Sequence, residues 1–191
     1  MANILSAQET FNGQGFDDRH MLRKAERELQ KLRTASGLEE PYDHMFNFAV
    51  TLAAVSDWTF HLHLSQLPLW NKKKESHFTN WVRKSNEDAF VFIDISNEYK
   101  HAHRTNKSTL AEKLILKYID LGIYPQLRAG ADLNKGWIQK VGASDWYCFP
   151  TIKFNGKTES FFDPAERAIA WWKAFTPAAA VPMDANGNVL P

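Results

Sequence analysis

Along the first hundred positions apolar residues recur three and four apart, the period of a helix with one buried face. Leu22, Ala25, Leu29 and Leu32 predict a helix that Asp17 caps and that ends near Ser36, before Gly37. Pro41 opens a second helix running to about Ser65, apolar on nearly all sides and therefore expected at the centre. After a connector with Pro68 and Lys72–Lys74, the pattern predicts a short helix over 77–84 and another over 87–105. Beyond Asn106 the texture changes. Runs over 110–124, 137–141 and 145–154 read as strands, with 130–136 as a loop. Asn155–Gly156, whose residues both accept positive φ, predicts a hairpin returning along 157–162. Asp163–Pro164 then announces a helix to about Phe175, expected to dock on the sheet through Ala168, Trp171, Trp172 and Phe175. The expected fold class is α+β: an N-terminal helical bundle, a small antiparallel β segment and a closing helix. By segment this gives an arm over 1–16, the bundle over 17–106, the β-rich segment with its helix over 107–176, and an irregular tail over 177–191.

Composition narrows the class. A hydrophobic content of 44% over 191 residues is enough for a real core. With 23 basic against 22 acidic residues the net charge is +1, so no global field recruits nucleic acid or an anionic membrane. The one cysteine, Cys148, excludes an intrachain disulfide and a cysteine-based zinc site and is expected in the core. No apolar run approaches the roughly 18 residues of a membrane span, and Met1 to Gly15 lacks the order of a signal peptide. The expectation is a cytoplasmic protein with no membrane association and no cofactor.

Candidate chemistry lies on the helix expected over 87–105. Asp94, Asn97, His101 and Arg104, spaced 3, 4 and 3 apart, form one polar stripe on an otherwise apolar segment. On the preceding long helix Asp57 and His61, one turn apart, share a face with Phe46, Val50 and Ala53. Facing helices would join these into a seam of two carboxylates, two histidines, an amide and an arginine. Three uses are open. His101 could move a proton, oriented by Asp57 and His61, with Lys100 or Arg104 meeting anionic charge. Asp57, His61 and His101 could hold a metal, but His61–His63 and His101–His103 point their rings roughly 200° apart on a helix, so no metal site is assigned. The groups could instead satisfy one another and fix helix register. The basic residues of the first helix, Arg19 to Arg33, read as a solvated face of intrahelix pairs with Glu26 and Glu28.

The segment Ser96-Asn97-Glu98-Tyr99-Lys100-His101 resembles the motif of HEPN-domain proteins, small helical bundles that include many RNases of defence and toxin systems. Asn97 and His101 match its polar residue and histidine, three residues between them. Ser96 stands where the motif has an arginine that holds the scissile phosphate. The resemblance implies a metal-independent RNase or RNA-binding protein with His101 as acid–base group, Asn97, Lys100 and Arg104 on the phosphate side, and a homodimer. With the arginine replaced, the leading expectation is a non-enzymatic protein-interaction module with a protein partner. Its setting would be bacterial defence or counter-defence, and its origin a phage or mobile element. RNA is the alternative partner.

Overall fold

The computed structural model describes residues 18–37, 39–100 and 111–191. Four helices come first: α1 (Asp18–Arg33), α2 (Glu40–Thr59), α3 (Glu75–Ser85) and α4 (Glu87–Lys100). Four strands follow, β1 (Ala111–Asp120), β2 (Trp137–Val141), β3 (Ser144–Phe154) and β4 (Lys157–Ser160), and helix α5 (Phe162–Ala174) closes the chain. The α+β class and the element order are those the sequence predicts. No described helix is long and apolar enough to cross a membrane.

The starts of α2 and α4 have local causes, and α1 its predicted buried stripe. The predicted stripe of α1 is buried at all four positions, Leu22, Ala25, Leu29 and Leu32. Pro41 occupies the first turn of α2, where its missing N–H costs nothing. Asn86 has extended backbone and its Oδ1 accepts from the Ala89 N–H at 2.7 Å, capping α4. From Ala89 through Ser96 every residue of α4 is buried. It packs against α2, α3, α5 and β1, which makes it the central helix alongside α2.

Strand β3 organises the sheet. Antiparallel β1 runs along one edge of it from Trp146 to Phe154. The other edge is shared, β2 pairing with 144–148 and β4 with 151–154. Asn155 and Gly156 take φ of 46° and 73° between the paired Phe154 and Lys157, the predicted two-residue hairpin turn. Cys148, Ile152 and Phe154 point inward with Leu116 and Trp137 and join the helical core. One hydrophobic cluster takes residues from every helix and from three strands.

The closing helix differs from expectation. It starts at Phe162, so Asp163 lies inside the first turn, 3.3 Å from Lys135 rather than capping. Buried Phe161 and Phe162 set that start by carrying the chain from β4 into the core. It docks chiefly on helices rather than on the sheet. Phe78 of α3 meets Trp172 and Phe175, and Trp81 meets Trp171 and Phe175, with ring centroids 5.7 to 6.3 Å apart. These five rings close upon one another between α5 and α3. Arg167 clamps the same helix to Asp88 of α4 through two bonds of 2.8 Å and to Glu159 of β4 at 3.0 Å. The irregular tail is tied down: the Met183 N–H donates to the His77 carbonyl at 3.3 Å, and Asn80 donates to the Met183 carbonyl at 3.2 Å.

Candidate functional site

Of the expected seam, α4 supplies Asp94 and Ser96 at 1% and 0% exposure, with Asn97 half-buried. Asp57 is half-buried on α2, and both Asp57 and Asp94 have interaction partners. The Lys100 side chain, His101 and Arg104 lie outside the described residues, as does His103. The Ser96 hydroxyl is buried without a hydrogen-bond partner.

His61 follows a different course from the regular helix assumed for it. At Phe60 the winding widens from α to π, the Ser65 N–H donating to the Phe60 carbonyl at 2.8 Å, five residues back. The four-residue phase from Asp57 to His61 is therefore not that of a straight α-helix. His61 is 64% exposed and its Nε2 lies 3.1 Å from Glu75 of α3. His63 turns the other way, its Nε2 3.1 Å from Asp18 of α1.

A charged network that sequence spacing placed in solvent joins α1 to α2. Glu28 is buried, 2.9 Å from Lys31 Nζ and 3.3 Å from His44 Nδ1. Burial pushes its carboxyl up, but the bonds from Lys31 and His44 and the charges of Lys31 and Lys24 outweigh it and hold the group below its ordinary range. Lys24 donates to Thr51 at 2.8 Å. The signal was present: Glu28 stands three residues after Ala25 and four before Leu32, on the edge of the apolar stripe.

Where α1, the π turn and α5 meet, a cleft of about 580 Å³ opens. Leu22, Val55, Trp172, Phe175 and Pro177 form its apolar walls, and Asp18, Arg19, Arg23 and His63 its polar rim. The Glu26–Lys173 ion pair separates it from a second hollow of about 340 Å³ that reaches the Arg33–Glu166 pair. None of these residues entered the sequence-based site, because the cleft is assembled from opposite ends of the chain.

The outer side of the sheet is a third surface. Between β1 and β2, Ile123, Tyr124, Leu127 and Leu133 are 67%, 49%, 43% and 63% exposed, and Val141 ends β2 at 46%. The loop is held over β3 by the Tyr147 hydroxyl, which donates to the Asp132 carbonyl at 2.7 Å, and by Arg128 on Asp145 at 2.7 Å. Tyr147 stacks on Phe149 with centroids 5.2 Å apart, and Lys117 lies over Phe149. Of the adjacent pair Trp146 and Tyr147, neither stands free: Trp146 packs on the core and Tyr147 under this loop.

Among the described residues no group of three or more histidine, cysteine or acidic side chains could hold a metal ion. Cys148 is buried, and its thiol is pushed up to about 11 by that burial, which keeps it the unreactive core group expected. Compared with family models, with curated proteins and with solved structures, the chain matches none.

Proposed function

We propose that the chain is a non-enzymatic protein-interaction module whose docking surface is the β1–β2 loop and the outer side of the sheet. The observation that carries this reading is the row of five large apolar side chains left in water between positions 123 and 141. Burying one fully is worth about 1.5–3 kcal/mol, and exposed apolar side chains concentrated on one loop suit an interaction surface. The loop that bears it is pinned at Tyr147 and Arg128, so little ordering cost attends docking. Exposed Lys117 and Lys140 flank it, which suits a partner that presents apolar residues beside carboxylates.

The nuclease alternative rests on Asn97 and His101. Against it weighs Ser96, which occupies the position of the motif's phosphate-holding cation and is enclosed by the core.

The test is capture from the native host by the wild type and by an Ile123→Asp/Leu133→Asp double variant, each first checked for folding by its thermal melt. One partner retained by the wild type and lost by the variant is the expected result. Equal retention by both removes the docking surface. Incubation of the same preparations with single-stranded RNA in chelator supplies the other arm: cleavage by the wild type that His101→Ala abolishes would overturn the module reading in favour of catalysis.

A further inference from the structure

We propose that the cleft between α1, the π turn and α5 binds a small aromatic phosphate of mononucleotide size. The cavity, about 580 Å³, falls within the range of ligand pockets. Its rim is more basic than its ion pairs require. Asp18 is engaged by His63 and Glu26 by Lys173, while Arg19 and Arg23, one helical turn apart and both exposed, make no ion pair among the described residues. Two guanidinium forks on one helix face suit the oxygens of a single phosphate, because each fork can give two parallel N–H bonds. They stand in the first turns of a 16-residue helix, whose N-terminal end favours negative charge.

Two further observations point to the same place. The π turn redirects His63 into this cleft, and such turns are enriched at functional sites. His63 lines the cleft beside these arginines with its Nε2 held by Asp18. The apolar walls of the same cleft include buried Trp172 and half-buried Phe175. An apolar wall beside a cationic rim matches a ligand with an apolar ring at one end and a phosphate at the other. A bare anion leaves the apolar walls uncovered, and an uncharged ring leaves both arginines unmet.

The experiment is calorimetric titration of the full chain with adenosine 5′-monophosphate, adenosine and inorganic phosphate as separate probes. The nucleotide is expected to bind, and the two fragments at least tenfold more weakly. Arg19→Gln/Arg23→Gln should weaken nucleotide binding at least tenfold. Arg27→Gln, on the same helix but away from the cleft, should leave it unchanged, as should Ile123→Asp/Leu133→Asp. Because all of the substituted side chains are exposed, thermal melts of the variants should match the wild type. Unaltered binding in the double arginine variant overturns the proposal. So does the absence of a titratable heat with the adenosine, guanosine, cytidine and uridine monophosphates up to millimolar concentration.

Discussion

At Ser96 a hydroxyl without a partner occupies a position with no solvent access. Removing a buried polar atom that makes no bond relieves a desolvation cost of about 1–3 kcal/mol while leaving a void smaller than a methyl group. Ser96→Ala is therefore expected to be neutral or slightly stabilising. Ser96→Arg forces a long side chain and an unpaired charge into the packed seam of α4, a loss of at least about 4 kcal/mol. Urea midpoints of the two variants decide this. An Ser96→Arg protein as stable as the wild type would mean that the helix can rotate this position outward. Glu28 belongs to the same scale. A carboxylate at the edge of the apolar stripe is kept charged inside because Lys31 and His44 reach it. Spacing along α1 contains the Lys31 partner of Glu28, but not the His44 that reaches it from α2 nor the enclosure of Ser96.

At the scale of elements, Gly136 sets where β2 begins. A Cβ there would stand 2.3 Å from the Cys148 carbonyl oxygen and 2.8 Å from the Tyr147 ring. Gly136→Ala must push β2 away from β3 and is expected to cost about 1–3 kcal/mol, as overpacking does. Gly130→Ala, whose nearest neighbour is 3.8 Å away, should be silent. Denaturation midpoints of the pair check it, and equal stability would show that the entry to β2 can give. Element order was legible because each element is coded locally: the stripe of α1, the apolar run of α2, the Asn155–Gly156 turn. Three features were not. The π winding at Phe60 has no spacing of its own to read. The start of α5 is fixed by Phe161 and Phe162 entering the core rather than by the Asp163–Pro164 signal. The cleft joins Asp18 to Trp172 and Pro177, a relation that only tertiary packing creates.

At the scale of the whole molecule, helices and sheet share one hydrophobic cluster, and α5 returns from the sheet to lie on α1, α3 and α4. The sheet adds Leu116, Trp137, Cys148, Ile152 and Phe154 to that cluster rather than building a separate core among the described residues. Unfolding is therefore expected to be a single cooperative transition. Far-ultraviolet circular dichroism, dominated by the helices, and tryptophan fluorescence, which includes Trp137 and Trp146 in the sheet, should give coincident curves. Two resolved midpoints would show that the sheet detaches while the bundle stands.

The Arg33–Glu166 pair spans 133 residues of chain. During synthesis α1 leaves the ribosome long before the helix that covers its flank exists. At 5–20 residues per second that interval is on the order of ten seconds. Throughout it, the side of α1 facing Ile169 waits without its lid, although α2 is already present to pack against Leu29 and Leu32. The nascent chain is thus an open clamp until Phe162–Ala174 arrives to shut it.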